Sequence, residues 1–115
     1  GTGAGRALGK RMIHHVVLWR LKPEAKRDGR ILEIERIEQA VDAMRGHMPG
    51  LVAIELGINR DSSGDASDLL LHAQFSSWDS LAAYEQHALH QQLRQIIGPL
   101  RMERRVVDYE TVRTL

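Results

Sequence analysis

The order of strand-like and helix-like segments constrains the fold of this 115-residue chain more than any other feature. Four segments are rich in branched and aromatic residues, which is typical of strands. Two others repeat apolar residues at steps of three and four, which is typical of amphipathic helices. One helical segment follows the first strand and the other precedes the last. The predicted strands are Met12–Leu21, Leu51–Ile58, Asp68–Phe75 and Met102–Val112.

Helix-capping and helix-breaking residues indicate where the two helical segments begin and end. The first is predicted to begin at Asp28-Gly29, with Asp28 as its N-cap, and to end at Gly46. The second is predicted to begin at Ser77 and to end at Gly98 before a proline. The apolar stripe of the first helix consists of Ile31, Ile34, Ile37, Val41 and Met44.

The resulting order is β-α-β-β-α-β. Right-handed crossovers fold this order into a four-stranded antiparallel sheet with both helices on one face, a ferredoxin-like α+β fold. Alternation in the first strand places His15, Val17 and Trp19 on the helix-covered face. The other face keeps Val16 and Leu18, and an exposed apolar face favours association. We therefore expect a homodimer that pairs through this sheet face.

The charge distribution separates the start of the chain from the rest. The chain has 16 basic and 15 acidic residues, and three of the basic ones lie within residues 1–11, which contain no acid. We interpret residues 1–11 as a flexible leader and residues 12–115 as one domain. Because that domain is mildly acidic, it does not fit a nucleic-acid-binding protein, which needs a dense basic face.

Two absences from the sequence narrow the function further. No apolar run approaches the roughly 20 residues that a membrane span requires, so no membrane partner is expected. The chain contains no cysteine, which excludes disulfides, thiolate metal sites and a cysteine nucleophile. This composition fits the reducing cytoplasm, where we expect the protein to be located.

Five segments in sequence order, within Met12–Glu110, match the pattern of one known family. They are MIHHVVLWRLKP, the turn MPG at Met48–Gly50, DLLLHAQF, LAAYEQHALH and VVDYE. In this set the chain resembles the stress-responsive A/B-barrel (Dabb) family. The resemblance implies a dimeric α+β barrel in which two four-stranded sheets face each other, with a pocket between sheet and helices in each subunit.

The resemblance also implies catalytic residues, because a plant member of the family is a polyketide cyclase that uses neither cofactor nor metal. Its acid–base residues are similar to His15, Tyr84, His90 and Asp108, the last followed by Tyr109. We expect no cofactor and no metal here. His90 and Asp108 would act as base and orienter, and Tyr84 or His15 would donate to a developing oxyanion.

Two positions depart from the cyclase pattern. Leu69 stands where the cyclase has a histidine, and Ala88 stands where the family usually has proline. Without that proline, the second helix is predicted to continue straight through His90. Both departures weaken the analogy to cyclase activity and leave a general acid–base pocket.

Each candidate residue also has a simpler structural interpretation. His15 fits a core histidine with one hydrogen bond, and Asp108 fits a strand-end carboxylate bound to backbone or water. The spacing of His87 and His90 could hold a metal, but two exposed helical histidines are the commoner case. The apolar wall of the pocket is predicted to consist of Val17, Trp19, Leu71 and Val106.

A basic cluster at the start of the last strand has two interpretations. Arg101, Arg104 and Arg105 could bind an anionic group, although a solvated or salt-bridged edge is the favoured interpretation. For the whole chain we predict a pocket protein that binds a small apolar, oxygenated ligand, with cofactor-independent acid–base chemistry. The alternatives are a non-catalytic dimer used in stress response or binding, and a cofactor-free monooxygenase.

Overall fold

A computed structural model describes residues 11–112 of the chain. It contains one four-stranded sheet, a two-stranded ribbon, three α-helices and a short 3₁₀ helix at Pro23–Ala25. The strands and helices are β1 (Ile13–Leu21), β2 (Lys26–Arg27), β3 (Arg30–Ile31), α1 (Ile34–Met44), β4 (Leu51–Ile58), β5 (Leu69–Phe75), α2 (Trp78–Gln86), α3 (Ala88–Ile97) and β6 (Arg101–Glu110).

The large sheet confirms the predicted ferredoxin-like topology. Its strand order is β4-β5-β1-β6, and all neighbouring strands are antiparallel. Both crossovers, through α1 and through α2–α3, join strands that are parallel and separated by one strand. Strand β1 is central, so its side chains lie between those of β5 and β6 on both faces.

The start of the first helix differs from the prediction. Asp28 and Gly29 form a tight turn between β2 and β3, with φ values of 54° and 73°. A two-residue hairpin of this kind requires positive φ at both positions, which aspartate and glycine tolerate. The helix therefore begins at Ile34, after Glu33. Ile31 is buried as predicted, but it belongs to strand β3 of the ribbon and not to the helix.

The second helical segment is broken, which corrects the prediction of a straight helix through His90. His87 adopts extended backbone with ψ of 145°, so α2 ends before it and α3 begins after it. The Nδ1 atom of His87 accepts a hydrogen bond from the backbone N–H of Leu89 at 3.0 Å. The imidazole thus caps α3 and maintains the break without proline.

The core lies between the helices and the inner face of the sheet. Ile37, Val41 and Met44 of α1 are fully buried there, as their helical spacing predicts. The turn at Gly50 (φ 81°) approaches α2 so closely that a Cβ would lie 2.0 Å from Ser80 Oγ. This contact packs the first turn of α2 against the turn that precedes β4.

The outer face of the sheet carries no helix in the described residues. Val16, Leu18 and Leu70 are half-buried on it, whereas Val107 is 58% exposed. The predicted leader falls outside the described residues except for Arg11, which lies 3.2 Å from Glu110. None of the helices in residues 11–112 has the length and apolar character needed to cross a bilayer.

Candidate functional site

A cavity of about 500 Å³ lies between the inner face of the sheet and helices α2 and α3. Its apolar wall includes three of the four predicted residues, Val17, Trp19 and Leu71. The fourth, Val106, pairs with Val17 across the sheet but does not line the cavity. Val106 is 45% exposed because β6 is an edge strand that the helices do not cover.

His15 and Asp108 form a hydrogen-bonded pair beside this cavity. They are directly opposite each other in β1 and β6, and His15 Nδ1 lies 2.5 Å from Asp108 Oδ1. His15 is 2% exposed, whereas the Asp108 side chain is 33% exposed, so the acid is less buried than its apolar strand suggested. A carboxylate on Nδ1 places the imidazole proton there and leaves Nε2 to exchange protons with the cavity.

Tyr84 lies over the paired histidine from α2. Its ring meets the His15 ring edge-on, with centroids 5.6 Å apart. Burial raises the pKa of the Tyr84 phenol, and the Glu85 carboxylate raises it further, while Arg104 lowers it. The phenol therefore stays protonated across the neutral range and keeps its O–H available as a hydrogen-bond donor.

His90 lies on the other side of Tyr84, with ring centroids 4.5 Å apart. Its Nδ1 bonds to the backbone carbonyl oxygen of Glu85 at 3.1 Å. Burial lowers the pKa of His90 to about 4, although the Glu85 carbonyl opposes this shift and nearby Arg94 adds to it. His90 is therefore neutral at pH 7, with its proton on Nδ1 and a lone pair on Nε2.

The structure corrects the expected pairing of His90 with Asp108. Asp108 bonds to His15 instead, and no hydrogen bond joins His90 to Asp108 within residues 11–112. Burial is the main cause at His90, so its pKa is lowered, whereas the expected pairing would have raised it.

Three polar atoms on cavity-lining side chains have no hydrogen-bond partner in the described residues: Nε2 of His15, Oη of Tyr84 and Nε2 of His90. No buried side-chain nitrogen or oxygen in that part of the chain is unsatisfied, so these atoms must reach accessible space. All three side chains line the cavity. It thus offers the O–H of Tyr84 as a donor, Nε2 of the neutral His90 as an acceptor, and the His15 imidazole oriented by a carboxylate.

The basic rim of the cavity was not predicted as a unit. Arg94, Arg101 and Arg104 line it, whereas Arg105 lies on the outer face, 3.8 Å from Glu103. Arg94 is one helical turn after His90, a spacing that could have revealed it. Arg101 and Arg104 were named in the sequence as part of a possible anion-binding cluster, but their shared face was not predictable, because the register shift near Leu21 places residues three apart on the same side.

Within residues 11–112, the two histidines that were weighed as metal ligands each use one ring nitrogen on the backbone. His87 uses its Nδ1 atom as a helix cap, and His90 uses its own Nδ1 on the Glu85 carbonyl. Across residues 11–112 there is no group of three or more His, Cys, Asp or Glu side chains that could hold a metal ion.

Comparison with known families identifies the chain. The model of the Stress responsive A/B Barrel Domain, Dabb, matches residues 13–111. The chain belongs to the Dabb family. A search of curated proteins found no match.

Solved structures similar to this Dabb chain share its fold. A dimeric protein of unknown function and ferredoxin-like fold from Bacteroides fragilis is 24% identical, with a TM-score of 0.76, over 87% of this chain and 96% of its own. A dimeric ferredoxin-like protein of unknown function from Jannaschia is 25% identical, with a TM-score of 0.67, over 87% and 99%. Hydroxynitrile lyase from Passiflora edulis is 14% identical, with a TM-score of 0.73, over 92% and 98%.

Proposed function

We propose that this Dabb protein is a homodimer whose cavity performs cofactor-independent acid–base chemistry on a small, mostly apolar, oxygenated ligand. The observation that carries the proposal is that His15, Tyr84 and His90 line one cavity with an apolar wall, and that each has a polar side-chain atom without a hydrogen-bond partner in residues 11–112. Proton-transfer groups with fixed roles beside an apolar surface are the usual composition of an enzyme site. The cysteine-free composition supports a cytoplasmic location as part of the same proposal.

The proposed reaction begins with removal of a proton from the carbon next to a ligand carbonyl. His15 Nε2 takes this proton, and Asp108 holds the ring through Nδ1 and stabilises the positive charge that forms. The electron pair of the C–H bond moves to the carbonyl oxygen, where the Tyr84 hydroxyl donates a hydrogen bond to the new oxyanion. His90 Nε2 accepts a hydrogen bond from a ligand hydroxyl and orients it. Return of a proton to carbon restores His15.

Deuterium exchange tests this proposal without knowledge of the natural ligand. The probe is 4-phenylbutan-2-one in deuterium oxide, and proton NMR follows loss of the hydrogens next to its carbonyl. We expect the wild-type protein to accelerate exchange above buffer, and Tyr84→Phe to reduce the acceleration about 10²-fold. No acceleration by wild type, together with unchanged resonances of His15 and His90, would refute the proposal.

A non-catalytic dimer is the second candidate, and the outer face of the sheet favours it. That face carries Val16, Leu18 and Val107, with no helix over it in the described residues. Two similar structures are described as dimeric. The two candidates differ in the exchange experiment: a purely structural dimer leaves the probe at the buffer rate and shows no ligand-induced shifts of His15 or His90.

A further inference from the structure

The rim of the cavity concentrates three arginines that form no ion pair within residues 11–112. Arg94 projects from α3, and Arg101 and Arg104 lie on the cavity-facing side of β6. In the same residues, four arginines lie within 4.0 Å of a carboxylate: Arg11, Arg36, Arg45 and Arg105. Four others that do not line the cavity also lack an ion pair there, but only the rim gathers three such arginines at one cavity: Arg20, Arg27, Arg30 and Arg60. Among the residues that line the cavity in that part of the chain, the single acidic one is Glu85.

The backbone of β6 places Arg101 and Arg104 on the same, inner face of the sheet. Trp19 pairs with Arg104 and Leu21 pairs with Arg101, so one extra residue in β6 is accommodated between them. In a regular strand, residues three apart point to opposite faces. Here the irregularity turns both guanidinium groups toward the inner side, and bulges often re-aim side chains next to functional sites.

Like charges gathered in this way repel each other, and a bound anion removes that cost. Arginine presents a planar fork of N–H donors that matches the oxygens of a carboxylate or a phosphate. The apolar wall at Trp19 and Leu71 continues from this rim toward Tyr84. A ligand with an anionic end and an apolar body would therefore contact both surfaces at once.

We propose that Arg94, Arg101 and Arg104 form an oxyanion subsite that holds a carboxylate or phosphate end of the ligand while its apolar body extends toward Tyr84 and His90. The inference rests on the proposed function, since it assigns the substrate class of the same cavity: an amphiphilic anion. The subsite would fix the orientation of the ligand and so decide which of its carbons faces His15.

The rim arginines also affect the pKa of His90, so NMR titration of His90 can report whether an anion is bound at the rim. The guanidinium groups of Arg94 and Arg104 contribute to the lowered pKa of His90, after burial as the main cause. An anion bound on these arginines offsets their charge. Binding should therefore raise the pKa of His90 from about 4, whereas a neutral ligand of the same shape should not.

A set of isosteric ligands tests the subsite on the full chain. The probes are 3-phenylpropionate, phenethyl phosphate and the neutral 3-phenylpropanamide, titrated at low ionic strength with NMR detection of His15, Tyr84 and His90. We expect at least one anion to bind about tenfold more tightly than the amide, and this ratio to fall with added salt. The carboxylate and phosphate arms distinguish the two kinds of anion.

A variant of the rim and a control variant on the opposite face make the test specific. Arg104→Gln should reduce the preference for the anion to below about threefold and abolish the shift of His90, whereas Arg105→Gln, on the opposite face, should change neither. If Arg104→Gln fails to fold by circular dichroism, Arg94→Gln on α3 replaces it. Equal binding of all three probes, or an anion preference that survives both rim variants, would overturn the subsite and leave the proposed function standing. Absence of any binding in the cavity would overturn both.

Discussion

His14 and His15 are neighbours in β1, but they lie on opposite faces of the sheet in different surroundings. His15 faces the helices and bonds to the Asp108 carboxylate. His14 faces outward, where its Nδ1 lies 2.8 Å from His72 Nε2 and its Nε2 lies 2.8 Å from Thr111 Oγ1. Burial and the second imidazole lower the pKa of His14.

The difference shows that the partner, more than the residue type, decides what a histidine can do. On the inner face, a carboxylate orients one imidazole beside a cavity. On the outer face, a chain of polar groups connects Glu55, His72, His14 and Thr111, and Tyr109 stacks on His14 at 4.5 Å. Each outer imidazole has its partners within the sheet surface, so this face fits a structural contact.

The largest expected effect comes from the carboxylates on the two faces. Asp108→Asn should slow exchange of the 4-phenylbutan-2-one probe about 10²–10³-fold, because the His15 imidazole loses the group that orients it and stabilises its charge. Glu55→Gln removes the carboxylate 3.5 Å from His72 on the outer face and should leave the rate within about twofold. Equal losses in both variants would show that neither pair is specific to catalysis.

A second prediction separates the faces by assembly. Light scattering should give wild-type protein twice the 13.0 kDa chain mass. Val107→Glu places a charge on the outer face and should shift the protein toward the monomer mass, because a buried unpaired charge is costly. Val106→Glu changes the preceding residue, whose side chain points to the inner face. The Val106→Glu protein should therefore remain dimeric. A dimeric Val107→Glu protein would contradict pairing through this surface.

A third prediction concerns how the free energy of unfolding depends on pH. The pKa values of His90 and His14 are lowered on folding, so the unfolded chain binds more protons as pH falls below about 6.5. Stability should therefore decrease from pH 6.5 toward pH 4. For His90 the loss by pH 5 should be about 1 kcal/mol, after allowance for water in the cavity.

Urea denaturation at fixed protein concentration measures this dependence. His90→Gln should flatten the curve of stability against pH more than His14→Gln does. An unchanged slope in His90→Gln would show that the cavity histidine titrates in the folded protein much as it does in the unfolded chain.

The smallest expected effect tests the break between α2 and α3 that positions His90. His87→Ala removes the cap on the Leu89 N–H and should cost about 1 kcal/mol of unfolding free energy. His47→Ala, at an exposed turn, should cost less than about 0.5 kcal/mol. Equal costs would indicate that the break is maintained by packing rather than by the imidazole.

The fold was predictable because its determinants are local. Residue composition and turn residues alone predicted both ends of β4 correctly. The same signals predicted the ends of the other three strands of the large sheet to within one or two residues. The start of α1 was wrong because Ile31 falls on the helical spacing of Ile34 and Ile37, which concealed the hairpin signal of Asp28-Gly29. A two-residue turn and a helix start share the same residue types.

The site was less predictable because it depends on long-range register. Which carboxylate meets which histidine follows from the pairing of β1 with β6, and sequence alternation alone does not give this register. Alternation also placed Val106 correctly on the inner face without revealing that the helices leave it uncovered. The position of Arg101 depends on an irregularity in β6 that no residue in the sequence marks.

Nitrogen-15 NMR of the imidazole rings tests the central claim most directly, because it reads which ring nitrogens carry protons. At pH 7 we expect His90 to be neutral, protonated on Nδ1 with a bare Nε2, and to remain so until the pH approaches about 4. We expect His15 to carry a proton on Nδ1, in a short hydrogen bond to the Asp108 carboxylate that weakens in Asp108→Asn. A His90 that becomes charged near pH 6.5, or a His15 with a bare Nδ1, would contradict the proposed roles of these two residues.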